Sequence, residues 1–387
     1  MKTTLSNLTA LHCWECSKAY SADQINTVAS CERCDKNLLL ASYDVTHCST
    51  RDIRTDDRSM WRYFPMLPLN NPANVVSLGE GFTPILKLDK TAKKLSVDKL
   101  YLKDEALNPT GSFKARGISM AISKAKELGI SRCIIPTAGN AGGAMAAYCA
   151  KAGMEAVVVM PDHTPILFQR ECELFGAHVE LVKGLISDCA ARVREINRNK
   201  KYFDLSTMRE PYRLEGKKTM GYEIAEQLSW SVPDVILYPT GGGTGLIGIW
   251  KAIGEMIQLG WLPDKRPRMY AVQAQACQPL VETWNKTQPD STQYKGSQTH
   301  ALGLAVPQPF AEKLILEILH TSGGKPLAVS EPAMIAAQLE LARTEGILAA
   351  PEGAALIAAL RQLKTEQQIL ENESVLLLNT GSAYKYL

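Results

Sequence analysis

Residues 102–117 read Leu-Lys-Asp-Glu-Ala-Leu-Asn-Pro-Thr-Gly-Ser-Phe-Lys-Ala-Arg-Gly, and their reading decides the fold. A short apolar run passes into a turn of Asn108, Pro109 and Gly111, and a helical pattern follows from Phe113. Lys114 therefore sits on rigid backbone beside a helix start. Burial disfavours the ammonium and lowers a lysine pKa by as much as ~3–5 units, which frees the neutral amine to form a Schiff base with a carbonyl. The competing reading is a surface lysine whose stem covers apolar ground while its head stays in water. The neighbouring sequence separates the two.

From Val97 onward, short apolar runs alternate with helical stretches, the pattern of βα units around a largely parallel sheet. Strands are expected at Leu100–Lys103, Cys133–Pro136, Ala156–Met160, Val179–Val182, Val235–Tyr238, Met269–Val272 and Val375–Leu378. Helices are expected at Phe113–Leu128, Gly142–Ala152, Pro165–Phe175, Ile186–Asn199 and Lys217–Leu228. Ligands of open α/β sheets bind beyond the carboxyl ends of strands, which directs attention to the loops there. After Ile135 comes Pro136-Thr137-Ala138-Gly139-Asn140-Ala141-Gly142-Gly143, followed by a helix of small residues that lets a ligand or a neighbour approach closely. The Asn140 amide either caps that helix or reaches an oxygen in front of it.

After Tyr238 comes Pro239-Thr240-Gly241-Gly242-Gly243-Thr244-Gly245-Leu246-Ile247-Gly248, a glycine run opening a helix. Its backbone N–H groups and the helix dipole make a phosphate cradle. The run contains Gly-x-Gly-x-x-Gly, but a dinucleotide site also needs an acidic residue at a strand end about twenty residues on. Here residues 268–276 read Arg-Met-Tyr-Ala-Val-Gln-Ala-Gln-Ala. No Gly-Lys-Ser/Thr follows either, which excludes a Walker loop. Near the end of the sequence, Asn379-Thr380-Gly381-Ser382 follows the last expected strand and offers two hydroxyls.

The N-terminal region carries Cys13-Trp14-Glu15-Cys16 and Cys31-Glu32-Arg33-Cys34, two CxxC knuckles at the spacing that closes a tetrahedral thiolate zinc site. A redox pair needs only one such knuckle. Structural zinc on Cys13, Cys16, Cys31 and Cys34 is the expectation, with His12, His47 and Cys48 as substitutes nearby. Residues 50–75 read as a linker, charged and then rich in Pro and Asn. The 387 residues are 45% hydrophobic and 21% charged with a net charge of +3, too little to argue for nucleic acid or a membrane surface. A signal peptide and a run of ~20 apolar residues are both lacking, so the cytoplasm is expected.

The stretch ending in Lys114 resembles the cofactor-lysine motif of the fold type II enzymes that use pyridoxal 5'-phosphate (PLP), and most closely that of the threonine synthases. Leu78-Gly79-Glu80-Gly81-Phe82-Thr83-Pro84 is similar to their "LGEGxTP" segment, and Tyr212-Arg213-Leu214-Glu215-Gly216-Lys217-Lys218-Thr219 to their "YRLEGxKT". The resemblance implies an α/β fold of two lobes with open, mostly parallel twisted sheets, preceded by a zinc ribbon at residues 1–50. Residues 51–387 would form the catalytic body, with a mobile small lobe at about 118–208 and a large lobe of 51–117 and 209–387. It implies further that Lys114 is catalytic and carries PLP, and that Asn140 faces the cofactor's phenolic oxygen. Thr240, Gly241, Gly242, Gly243 and Thr244 would hold its phosphate. Thr380 would face the pyridine nitrogen, with Ser382 as the alternative. Thr137 and Arg213 would contact substrate, Arg213 through its planar fork. The implied reaction turns O-phospho-L-homoserine and water into L-threonine and phosphate, and a homodimer is implied as well.

Two departures from the family pattern bear on substrate. The "STGNT" around the loop asparagine is here Thr137-Ala138-Gly139-Asn140-Ala141, which lacks hydroxyls that would touch substrate, and the segment before Arg213 is one residue longer. Arg209 and Arg116 are candidates to make up the loss. A PLP-dependent serine/threonine dehydratase, or another β-elimination or β-replacement enzyme, is the alternative, since it needs no second phosphate site. A non-catalytic binding protein of the same fold is disfavoured by the intact approach to Lys114.

Overall fold

The computed structural model describes residues 6–21, 31–34, 38–46, 48–287 and 290–387. In chain order the elements are β1 (Leu8–Cys13), β2 (Ala19–Ser21), β3 (Leu39–Tyr43), β4 (Ile85–Lys87), α1 (Asp89–Leu95), β5 (Lys99–Asp104) and α2 (Lys114–Glu127). They continue with β6 (Arg132–Pro136), α3 (Asn140–Ala152), β7 (Glu155–Pro161), α4 (Ile166–Leu174), β8 (His178–Val182), α5 (Ile186–Ile196), β9 (Phe203–Asp204) and α6 (Tyr212–Gln227). The remainder are β10 (Val235–Pro239), α7 (Thr244–Gln258), β11 (Arg268–Ala274), α8 (Pro279–Trp284), α9 (Glu312–Ser322), β12 (Pro326–Val329), α10 (Glu331–Glu345), α11 (Pro351–Thr365) and β13 (Ser374–Asn379).

The chain divides into two units. One comprises residues 1–82, 108–110 and 114–219, the other 83–107, 111–113 and 220–387. In the first, a four-stranded parallel sheet runs in the order β8-β7-β6-β9. Its central strands β6 and β7 are apolar runs buried on both faces, as a sheet covered by helices requires, while β8 and β9 are partly exposed. Ile134, Val157 and Val159 pack with Cys189 and Val193 of α5, each such buried aliphatic side chain contributing about 1.5–3 kcal/mol. The same unit holds a small antiparallel sheet, β2-β1-β3. In the second unit a six-stranded sheet runs β12-β11-β10-β13-β5-β4, parallel except for the edge strand β4. Its centre is fully buried, Val235, Ile236 and Leu237 pairing with Val375, Leu376 and Leu377.

All seven expected strands are present, each lengthened at an end, and the mostly parallel α/β class is as expected. Residues 50–75 are not a linker. Ser59 caps a 3-10 segment, Met60–Met66, in which every residue is buried, because Trp61, Tyr63 and Phe64 carry too much apolar surface for an exposed tether. The Met60 N–H donates to the Glu80 carbonyl at 2.7 Å, and a Cβ on Gly81 (φ +104°) would lie 2.4 Å from the Met60 nitrogen. Helix α6 begins at Tyr212, five residues before the expected start. Helix α5 stops at Ile196 because the Asn197 amide clamps the Tyr202 backbone, donating to its carbonyl and accepting its N–H, both at 2.9 Å.

Candidate active site

The loop before Lys114 owes its shape to left-handed backbone at Thr110 (φ 59°) and Gly111 (φ 63°). It is pinned to the C-terminal segment within the second unit. Phe113 N–H donates to the Thr380 carbonyl at 3.1 Å, Ser382 N–H to the Gly111 carbonyl at 2.8 Å, and Ser112 bridges Gly381. Lys114, half-buried, is the first residue of α2. The Asn108 side chain braces the turn by accepting the Gly81 N–H at 2.9 Å.

In the first unit, the Glu80 carboxylate ties three segments together. It accepts from Trp61 Nε1 at 2.8 Å, Leu78 N–H at 2.9 Å, Ser119 Oγ of α2 at 2.5 Å and Tyr148 Oη of α3 at 2.5 Å. These bonds fix α2 against α3. The sequence offered it only as a turn residue; its signal was an acid between two glycines, a short way after an aromatic stretch that also had to be buried.

Helix α3 begins at Asn140, two residues earlier than expected, with Gly139 as its uncapped start. Asn140 Oδ1 is buried and finds no hydrogen-bond partner among the described residues. Thr137 is buried, its hydroxyl accepting the Gly139 N–H at 3.2 Å, while Ala138 and Ala141 bring no hydroxyl.

Arg213 and Lys217 stand one turn apart on α6, 5% and 2% exposed. Arg213 donates from Nη1 to the Leu205 carbonyl, while its Nε has no hydrogen-bond partner among the described residues and lies 4.0 Å from Glu210 Oε1. Glu210 Oε2 accepts the Arg213 N–H at 2.8 Å. Burial pushes the Glu210 carboxyl up to about 7 against the pull of Arg213 and Lys217. Burial, then Lys114, then Arg213 hold the Lys217 ammonium well below its ordinary range, with Glu210 opposing. Two glycines create this closeness. A Cβ on Gly117 of α2 would lie 2.6 Å from the Arg213 carbonyl oxygen and 3.2 Å from Lys217 Cε, and one on Gly216 would lie 2.3 Å from the Arg116 carbonyl oxygen. Of the two arginines proposed as substitutes, Arg209 is exposed and Arg116 is buried with Nη1 on Thr219 Oγ1 at 3.0 Å. Glu210 and Lys217 were not singled out in the sequence, where their stretch reads as a charged helix face.

In the second unit, α7 starts at Thr244 behind Gly243 (φ 70°), which offers no side-chain cap to the first N–H groups. A Cβ on Gly243 would meet Ile315 Cδ1 at 2.2 Å, and one on Gly241 would meet the Gly303 carbonyl oxygen at 2.2 Å, so both glycines are needed for packing as well as for any ligand. Thr240 is fully buried with its hydroxyl on the Tyr238 carbonyl at 2.9 Å, and Thr244 is buried at the helix start. Thr380 is buried; Ser382 Oγ instead accepts the Tyr384 N–H at 3.3 Å.

The four cysteines converge at the mouth of the small antiparallel sheet, their sulfurs all within 4.8 Å of one another and 3.5 Å apart in the pairs Cys13–Cys34 and Cys16–Cys31. Four thiolates at about 2.3 Å from one tetrahedral ion stand about 3.8 Å apart, so the set fits a zinc ion. Burial raises the Cys31 thiol, but the Tyr20 hydroxyl, the Arg33 and Cys34 N–H groups and the Cys16 thiol outweigh it and bring it down to about 6. His12 pairs in β1 with Leu40, Cys48 stands outside the cluster, and His47 lies outside the described residues. No helix among the described residues is long and apolar enough to cross a membrane.

Residues 76–381 match the family model described as pyridoxal-phosphate dependent enzyme. The threonine synthase of Methanocaldococcus jannaschii is 34% identical over 378 residues, 96% of this chain and 92% of that protein. That of Methanosarcina acetivorans is 35% identical over 377 residues, 97% and 92% of the two chains. The chain belongs to the threonine synthase family of pyridoxal-phosphate-dependent enzymes. Among solved structures, a pyridoxal 5'-phosphate-dependent aspartate racemase superposes with a TM-score of 0.67 at 20% identity, over 78% of this chain and 90% of that one, which identifies the fold. The threonine synthase family uses PLP, and the residues of this chain fit that cofactor element by element: an amine at the head of α2, a buried amide oxygen without a partner at the head of α3, and an uncapped helix start at α7.

Proposed function

We propose that the enzyme converts O-phospho-L-homoserine and water to L-threonine and phosphate. The observation that carries this is Arg213, a nine-tenths buried guanidinium with an unpartnered Nε on the Tyr212–Thr219 segment, which a phosphorylated substrate would satisfy. Its likeness over nearly the whole length to threonine synthases supports the same reading.

Lys114 would hold PLP covalently, Asn140 would face its phenolic oxygen, and residues 240–244 at the head of α7 would hold its phosphate. Thr380 would face the pyridine nitrogen, a choice supported by the engagement of Ser382 Oγ with the backbone. Bound there, PLP supplies an electron sink for the substrate's α and β carbons. The Lys114 amine moves protons at those two carbons; Arg213 holds the substrate phosphate while the γ C–O bond breaks, and water then adds at the β carbon. Thr137 keeps the loop at Asn140 in shape beside the substrate. A structural zinc ion would occupy Cys13, Cys16, Cys31 and Cys34, and metal analysis giving one zinc per chain checks it.

Lys114→Ala tests the chemistry. Turnover and the near-visible absorbance of the lysine-bound cofactor should vanish together, and retained turnover would overturn the assignment. Arg213→Ala should raise KM for the phosphorylated substrate far more than it weakens PLP binding.

A further inference from the structure

The loop at Asn140 lacks two hydroxyls that a phosphorylated substrate would otherwise meet; Arg209 is exposed, and Arg116 is engaged by Thr219 Oγ1. Lys217 is a third candidate. It stands one turn beyond Arg213 on the same face of α6, 2% exposed, with its Cε 3.2 Å from where Gly117 would carry a side chain. Lys114 is three residues before Gly117, on that same face of α2. Lys114 and Arg213 lie close enough to repel the Lys217 ammonium, and Glu210 attracts it. Three cationic side chains gathered at one buried place focus a field that favours an anionic ligand among them.

We propose that Lys217 is a second phosphate-binding residue of the substrate site, closing with Arg213 a two-pronged cationic clamp on the phosphate of the substrate. Arg213 offers a planar fork and Lys217 a point charge, and the pair replaces the neutral hydroxyls lost at Ala138 and Ala141. The two glycines at 117 and 216 are what allow the clamp to stand beside Lys114, since any side chain at either would separate α2 from α6. This rests on the substrate reading above.

The test uses the PLP-loaded enzyme and the variants Lys217→Met and Lys217→Arg. Replacing the ammonium by an uncharged stem of similar length should raise KM for O-phospho-L-homoserine about 10–100-fold, the loss expected of one charge-assisted hydrogen bond, with kcat changed much less. Titration with inorganic phosphate alone should weaken by a similar factor, and Lys217→Arg should recover most of both. Unchanged KM and unchanged phosphate binding in a folded Lys217→Met enzyme would overturn the clamp. A fall in kcat with both unchanged would overturn it too, in favour of a proton-moving role. Should the wild type release no phosphate from O-phospho-L-homoserine, the substrate reading fails, and the inorganic phosphate titration still decides for or against Lys217.

Discussion

Lys217 and Lys218 are consecutive in α6 and almost equally buried, 2% and 0% exposed, yet they belong to two different electrostatic regions. Lys218 has its partners in hand: Glu215 Oε2 at 2.8 Å and the Tyr43 ring with its centre 3.8 Å away, while the Tyr43 hydroxyl donates to the same carboxylate oxygen at 2.8 Å. That triad anchors β3 of the cysteine-bearing sheet to α6. Lys217 stands instead with Lys114 and Arg213, and the carboxyl beside it, Glu210, is pushed up to about 7. A buried charge beside an opposite one braces a fold; a gathering of like charges marks where a charged ligand is expected.

Substitution separates the two regions. Lys218→Met strands Glu215 in the interior and should cost about 3–5 kcal/mol of stability by denaturant unfolding. The same change at Lys217 removes a repelled charge, so stability should stay the same or rise while phosphate binding suffers. If both variants lose equal stability, the contrast between the residues is broken. A smaller effect is expected from pH. Glu210 is neutral below about 7 and a competing carboxylate above it. Asp204 also acts on Arg213, opposing the effect of burial. Inhibition by sulfate, a dianion throughout, should therefore weaken about tenfold from pH 6 to pH 8, and Glu210→Gln should flatten part of that slope. The smallest effect belongs to Tyr43→Phe, which loses one hydrogen bond to Glu215 and should lower stability by about 1 kcal/mol without moving KM.

Much of this was legible in the residues. Seven strands announced themselves as short apolar runs between helical stretches, and Lys114, Asn140 and the glycine loop because turns and helix starts have their own residue types. The loop departures at Ala138 and Ala141 were equally plain. What was hidden depends on distant partners. Residues 60–66 read as linker because nothing local shows that Glu80 and Ser119 receive Trp61. The strands of the cysteine-bearing sheet are three to six residues long, too short for a period of two to stand out. Lys217 and Lys218 are indistinguishable as letters; only the close packing at Gly117 and Gly216 sends one toward Lys114 and the other toward Tyr43.

Product analysis with the purified, PLP-loaded enzyme tests the central claim most directly, with O-phospho-L-homoserine, L-threonine and L-serine each offered alone. Phosphate and L-threonine are expected in equal amounts from the first and nothing comparable from the others. Keto acid and ammonia from threonine or serine, with no phosphate from O-phospho-L-homoserine, would contradict it.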